Sequence, residues 1–364
     1  MRYLISGGGT GGHIYPALAI LNEIKLHDKD AVILYVGTEQ GLEAKLVPKE
    51  EIDFKTIRVE GIPRSISKDS LIALRELLYG LKESGRIIDD FKPDIVIGTG
   101  GYVCGPVVFK AARKKIPTLI HEQNAFPGIT NKILSRFVDR VAVTFEESIA
   151  YFKFPERVIK VGNPIRSEIL NIDKKQAYEK LGLSPDKATV LCFGGSGGQR
   201  SLNESMRDML KSLDSVDFQV IHVTGERFYE EFMEDIKDLN LNKDRIKILP
   251  YLYEMAEALN IADLMITSAG AITLAEVSSI GIPSILIPKA YTAENHQEYN
   301  ARSFEKKEAA IVILEKDLNG EKLKDVLIPL LNNPEKLKKM SQNSKSLGQT
   351  DSAGKIYDII KTII

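Results

Sequence analysis

The segment "MRYLISGGGTGGH" (residues 1–13) decides how the rest of this chain is read. An apolar run of strand character runs straight into five glycines, a threonine and a histidine. Ordering glycine costs more backbone entropy than ordering any other residue, so such a turn implies that something must approach the backbone closely. Far along the chain, "ATVLCFGGSGGQR" (188–200) repeats the plan: strand, glycine-rich turn, helix.

Working outward from the first copy, "YLIS" (3–6), "AVILYVG" (31–37), "DIVIGTG" (94–100), "PTLIHE" (117–122) and "RVAVTF" (140–145) read as buried strands. Helical patterns such as 15–27 and 105–115 lie between them. After the second copy come "QVIHVTG" (219–225), "IKILPYL" (246–252), "LMITSAG" (264–270), "PSILIPK" (283–289) and "AAIVIL" (309–314). Strand–helix alternation of this kind predicts parallel sheets with helices on both faces. The expected fold class is α/β: two tandem, Rossmann-like, doubly wound domains facing one another across a cleft. We expect a first domain over 1–162 and a second over 163–349, joined near "KVGNPIR" (160–166). An amphipathic helix in 350–364 is expected to pack back on the first domain.

A chain of 364 residues is long enough for two such cores. Its formal net charge of −1 gives no general attraction to nucleic acid. Cys104 and Cys192 lie far apart in apolar surroundings and read as free buried thiols. No Cys/His cluster has zinc-ligand spacing. The start lacks a secretory h-region, and the longest uncharged run, 95–109, is too short to span a bilayer.

Ligands of doubly wound sheets bind outside the carboxyl ends of the strands, and the unusual stretches of this chain fall there. Gly7, Gly9 and Gly12 fit the dinucleotide pattern G-x-G-x-x-G. That fold also wants an acid at the tip of the second strand, where Gly37 stands with Glu39 beyond it. The other reading is a phosphate cradle at a helix N-terminus. "GTGGYVCGP" (98–106) and "GGSGGQR" (194–200) have the same character. In "SAGAITLAE" (268–276), Ser268 can cap a helix whose first-turn N–H groups meet an anion. Glu276, further along that helix, can accept from both hydroxyls of a ribose; the plain alternative is a surface glutamate. Arg166 is a phosphate partner or a surface arginine. Finally, Leu71, Leu74, Leu78 and Leu81 form a helical stripe within 70–86, widened by Ile72 and Leu77 and flanked by Lys68, Arg75, Lys82 and Arg86. "FKAARKK" (109–115) adds positive charge. The stripe is either an interfacial surface for anionic lipid or a helix packed on the sheet.

"GGTGGH", "GTGGYVCGP", "HEQN", "GNPIR", "GGSGGQ", "SAGAITLAE" and "NHQEYNA" occur in the order and spacing of the MurG family, which the chain resembles along its whole length. The resemblance implies the two-domain glycosyltransferase-B fold and an inverting hexosyltransferase that needs no metal and no cofactor. The implied reaction moves N-acetylglucosamine from UDP-N-acetylglucosamine to lipid I, giving lipid II. The implied place is the cytoplasmic face of the cell membrane, peripherally bound to an anionic surface, with contacts to other cell-wall and division proteins and none to nucleic acid.

By the same resemblance Glu276 binds the ribose diol, the backbone of Ala271, Ile272 and Thr273 meets the diphosphate with Ser196 and Arg166 assisting, and Leu274 and Ala275 count among the substrate-binding residues. Leu252 offers backbone bonds to uracil, with Tyr251 beside the base. Gln297 and Asn300 read the sugar hydroxyls, and Thr10, Gly11, Gly12 and Asn124 reach the sugar end. Gly9, Gly100, Gly101 and Tyr102 hold the acceptor diphosphate. Gly197 stands where many relatives carry glutamine, so the detail of that loop is left open. Inverting transfer needs one base. His13 is the first candidate, with a helix N-terminus lowering its pKa, and Glu122 is the second; the plain alternative for His13 is a bond that orders the loop. Three other functions stay open: a UDP-N-acetylglucosamine 2-epimerase on the same fold, an NAD-dependent oxidoreductase, and a non-catalytic nucleotide-sugar binding protein.

Overall fold

The computed structural model describes residues 1–61, 68–195, 197–213, 217–239 and 241–364. The chain divides into two compact units, Met1–Ile165 together with Asp351–Ile364, and Arg166–Thr350. Each is built on one wholly parallel sheet.

The first sheet contains β1 (Arg2–Gly7), β2 (Val32–Gly37), β3 (Asp53–Thr56), β4 (Ile95–Gly100), β5 (Thr118–Glu122), β6 (Arg140–Val143) and β7 (Val158–Lys160). Their order is β3-β2-β1-β4-β5-β6-β7. The second contains β8 (Thr189–Phe193), β9 (Gln219–Val223), β10 (Ile246–Leu249), β11 (Leu264–Thr267), β12 (Ser284–Leu286) and β13 (Ala310–Val312), in the order β10-β9-β8-β11-β12-β13. The strand order therefore reverses between β1 and β4 in one unit and between β8 and β11 in the other. Those are the switch points at which such sheets open a crevice for ligands.

Helices cover both faces of the first sheet, so its inner strands are apolar on both sides rather than alternating. Leu4, Leu34, Val36 and Val96 pack on one face, and Tyr3, Ile5, Tyr35 and Ile97 on the other. The strands that the sequence pattern does not reveal, β3 ("DFKT") and β7 ("VIK"), are the two edges of the first sheet. Edge strands are short and partly solvated, so no apolar run marks them. The first helix, Gly11–His27, begins four residues before the expected 15, inside the glycine loop. Its first-turn N–H groups need no intrahelical partner, which lets Gly11 and Gly12 enter the helix ahead of Pro16.

The C-terminal helix, Ser352–Ile363, belongs to the first unit. Ile356, Ile359 and Ile360 join Ile20, Leu21 and Ile24 in one buried cluster, and Tyr357 stacks on His27 with ring centroids 4.6 Å apart. Cys104 and Cys192 are both free and buried. No helix among the described residues is long and apolar enough to cross a membrane.

Ile360 is fully buried. Replacing it with alanine is expected to destabilise the first unit by about 2–5 kcal/mol, measured by chemical denaturation. A loss below about 0.5 kcal/mol, the range of surface substitutions, would mean that the helix is not part of this core.

Candidate functional site

Both glycine loops of the first unit lie at its switch point, one after β1 and one after β4. They are tight because they clasp each other. The N–H of Gly8 donates to Gly100 O at 3.3 Å, and a Cβ on Gly101 would lie 2.3 Å from Gly8 O. Gly9 does not offer its N–H to a ligand as expected: it donates to Glu43 Oε2 at 3.0 Å. The other oxygen of Glu43 accepts from the N–H and hydroxyl of Thr38 at 3.0 and 2.8 Å. Glu43 is wholly buried, and the sequence reading missed it. Space for an approaching ligand remains at Gly12, where the nearest atom to an added Cβ would be Thr10 Oγ1 at 3.5 Å. Thr10 is the exposed N-cap residue and makes no side-chain capping bond. Tyr102 is 39% exposed, and its ring lies 3.5 Å from where a Cβ of Gly9 would be.

His13, half-buried in the first turn, is held by a chain of bonds. Its Nδ1 lies 3.1 Å from Thr99 O and 3.2 Å from Gln123 Oε1. Two carbonyl acceptors on one nitrogen put the proton there, so Nε2 carries the lone pair. Gln123 cannot turn its amide over, because its Nε2 donates to Thr99 O at 2.8 Å and to His121 Nδ1 at 3.0 Å. His121 in turn donates from Nε2 to Gly162 O at 2.9 Å. Burial pulls His121 down to about 4, so the relay is neutral at pH 7. Burial, rather than the helix N-terminus that the sequence suggested, comes first in lowering the pKa of His13; the bonds to Gln123 and Thr99 act against it. A Cβ on Gly100 would lie 2.7 Å from His13 Nδ1, so glycine is required there to admit the ring, not a phosphate.

Glu122 does not have the geometry of a base. It is 1% exposed. Its Oε1 accepts from the N–H and Nδ2 of Asn124 at 2.9 and 3.2 Å, and its Oε2 from Gly128 N–H at 3.1 Å and Asn131 Nδ2 at 2.8 Å. Burial raises its pKa and these donors oppose the rise. The carboxylate folds the loop that carries Asn124.

In the second unit the helix Ala271–Ile280 follows β11 at the switch point. Its N-cap is Gly270, with no side-chain capping bond, so Ser268 is not the expected cap. Leu274 N–H is the first to find an intrahelical acceptor, Gly270 O at 2.9 Å. The N–H groups of Ala271, Ile272 and Thr273 therefore face outward. Leu274 itself is spent in this way and wholly buried, so it does not meet a ligand as expected; Ala275, in the second turn, has its N–H consumed within the helix but its side chain half-exposed. Glu276 is 7% exposed. Its Oε1 takes both Nε and Nη2 of Arg166 at 3.2 and 3.1 Å. Burial raises its pKa, with Arg166 opposing. Its Oε2 has no partner among the described residues.

Gln297 Oε1 accepts from the N–H groups of Ala269 and Lys289 at 3.2 and 3.0 Å. Those two bonds fix which amide atom is the oxygen and leave the NH₂ group as the one with donors to offer. Asn300 is fully buried and donates to Ala269 O at 3.2 Å, so it shapes the loop rather than touching a sugar. Leu252 is buried, but no hydrogen bond to its backbone is present among the described residues; Tyr251 beside it is 48% exposed. Ser196 lies outside the described residues, as does the side chain of Lys68. Among the described residues no His/Cys/Asp/Glu cluster could hold a metal ion.

Comparison with known proteins follows the same two-part division. The glycosyltransferase family 28 N-terminal domain matches residues 3–143, and the glycosyltransferase family 28 C-terminal domain matches residues 189–361. The chain is 52% identical, over 100% of both chains, to the UDP-N-acetylglucosamine--N-acetylmuramyl-(pentapeptide) pyrophosphoryl-undecaprenol N-acetylglucosamine transferase of Thermoanaerobacter sp. strain X514. Crystalline MurG of Acinetobacter baumannii superposes with a TM-score of 0.81, 27% identity and 99% of each chain covered. A UDP-N-acetylglucosamine 2-epimerase from Listeria monocytogenes shares the fold alone: TM-score 0.71 at 14% identity, over 99% of this chain and 96% of that one.

Proposed function

This chain belongs to glycosyltransferase family 28, in its MurG branch, and from that premise we propose that it transfers N-acetylglucosamine from UDP-N-acetylglucosamine to the 4-hydroxyl of N-acetylmuramic acid in lipid I. The product is lipid II. The observation that carries this reading over epimerisation is the 52% identity to a transferase of that name along both whole chains, against 14% for the epimerase.

The second unit holds the donor. The open Oε2 of Glu276 accepts from the ribose diol. The outward N–H groups of Ala271, Ile272 and Thr273 meet the diphosphate, whose charge suits a helix N-terminus. Arg166 orients Glu276 and adds positive charge. Leu252 offers its free backbone groups to the base, and the NH₂ group of Gln297 reads the sugar. The first unit holds the acceptor beside His13 and Tyr102, and its Thr10, Gly11, Gly12 and Asn124 serve the sugar end. As the acceptor O4 attacks the anomeric carbon, its proton passes to His13 Nε2. The bond from that carbon to the β-phosphate oxygen breaks, and UDP leaves with the electron pair. Attack opposite the leaving group inverts the centre.

The membrane-facing candidate is the helix Lys68–Phe91. Leu71, Leu74 and Leu78 are 71%, 52% and 61% exposed, whereas Leu77 packs into the core and does not widen the stripe. A second stripe that the sequence reading missed, Ile129, Ile133 and Phe137, is also exposed on this unit. Exposed apolar stripes with basic flanks suit an anionic bilayer surface.

Labelled UDP-N-acetylglucosamine and a short-chain lipid I analogue are expected to give a disaccharide product and UDP. Conversion of the donor to its 2-epimer without transfer would contradict the reading. His13→Ala is expected to lower kcat by about 10²–10⁴ with a smaller effect on donor KM. The working form is the neutral imidazole, so kcat falls as pH drops through a pKa below the ordinary ~6.5, and the variant lacks that acidic limb. Near-normal turnover in His13→Gln would leave His13 only a loop-ordering role. Leu74→Ser with Leu78→Ser is expected to weaken binding to anionic vesicles while sparing activity on a soluble acceptor; unfolding of this variant instead would show the stripe to be core.

A further inference from the structure

Lys289 and Arg227 in the second unit are cations that the reading above does not use. Lys289 is the third residue beyond β12. Its Nζ donates to Gly198 O at 2.9 Å, and Gly198 lies in the loop beyond β8. Because β11 runs between β8 and β12, this bond carries the ammonium group across the end of β11. That is the point from which Ser268–Gly270 leads into the Ala271–Ile280 helix. A Cβ on Gly195 would lie 3.5 Å from Ser268 Oγ and 3.8 Å from Lys289 Nζ, so ammonium, hydroxyl and bare backbone converge.

The charge there is only partly compensated: Glu315 acts on Lys289 without pairing with it, against two cations. Among the described residues no carboxylate lies within ion-pair distance of Lys289 or Arg227. The nearby acid, Glu315, is committed elsewhere: Oε1 to Gln199 Nε2 at 2.8 Å and Ser201 Oγ at 2.5 Å, Oε2 to Ala290 N–H at 2.7 Å. Burial lowers the pKa of half-buried Lys289, and the charge of Arg227 lowers it further, against Glu315. Arg227 projects from the helix Glu226–Asp235, whose N-cap, Gly225, abuts the Gly198 loop: a Cβ on it would lie 2.9 Å from Gly198 Cα. A half-buried cation that among the described residues is bonded to a neutral carbonyl alone, with a second cation acting on it, is a site for an anion.

We propose that Lys289, supported by Arg227, binds the second phosphate of the nucleoside diphosphate donor, exchanging Gly198 O for a phosphate oxygen. The assignment rests on the donor reading. Glu276 lies five residues into the helix, about 7.5 Å along its axis from Ala271. A nucleotide with its ribose at Glu276 and first phosphate at the helix N-terminus runs onward to the end of β11, where Lys289 waits. There the ammonium meets the oxygen on which negative charge develops as the sugar departs, which is where a fixed charge lowers the barrier.

The test is calorimetric titration of wild type, Lys289→Met and Lys289→Gln with UDP and with UMP, which keeps base, ribose and first phosphate. Both variants are expected to lose about ten- to a hundredfold in UDP affinity and to bind UMP as wild type does. Retained UMP binding also shows that the donor fold is intact, and Gln can keep the bond to Gly198 while losing the charge. Equal losses for UDP and UMP, or rescue of UDP binding by Gln, would assign Lys289 to loop structure and overturn the proposal. Wild type binding UDP with both variants unchanged would overturn it alone. Wild type binding neither nucleotide would overturn the donor reading and the proposal with it.

Discussion

The proton on His13 Nδ1 is the feature on which the first unit turns. It is shared between Thr99 O and Gln123 Oε1, and each acceptor is placed by something else. Thr99 is the penultimate residue of β4, so its carbonyl is fixed by the sheet. Gln123 is locked by Thr99 O and by His121, which is locked by Gly162 O. Because the ring must reach β4 across the switch point, no side chain can stand at Gly100, and the loops on either side must close without side chains of their own. The imidazole thus dictates glycine at Gly100, while Thr99, Glu43 and the Gly8 carbonyl dictate it at Gly7, Gly8 and Gly101.

The second unit carries different groups on the same topology: fixed dipoles and cations rather than a histidine at the carboxyl end of its sheet. The helix at β11 presents three N–H groups, and no acidic residue stands in its first turn to compete for them. Glu276 is kept nearly buried, which costs desolvation, yet one of its oxygens has no partner among the described residues. A buried carboxylate with a spare acceptor is strongly biased towards a ligand with two adjacent hydroxyls, since a substrate lacking them would leave that oxygen unsatisfied. Glu43 and Glu122 show the opposite use of buried carboxylates: every oxygen is spent, and what they give is loop shape.

Much of this was legible in the residues. The two parallel sheets follow from the repeated strand–turn–helix plan at 1–13 and 188–200, because strands covered on both faces must be continuously apolar. The edge strands β3 and β7 escaped that signal because edges need not be apolar. The segments at the strand ends were legible where the backbone shapes them: Ala271–Thr273 open a helix with unspent N–H groups, and Gly12 leaves open space beside its loop. Which residues within a segment face inward was not: Asn300 and Leu274 lie in the expected segments but are buried. Glu43, Gln123 and Lys289 were missed because they act through contacts distant in sequence, with Gly9, His13 and Gly198 respectively. No local spacing announces such pairs; only the fold brings them together.

The claim on which the account rests is that His13 is a neutral Nδ1–H imidazole with an available Nε2. Nitrogen NMR of the ¹⁵N-histidine-labelled protein, with His13 assigned by substitution and followed through a pH titration, reads this directly. The account predicts the Nδ1–H tautomer at pH 7, an unprotonated Nε2, and protonation only below the ordinary histidine range. A proton on Nε2 at pH 7, whether as the other tautomer or as the imidazolium ion, would contradict it.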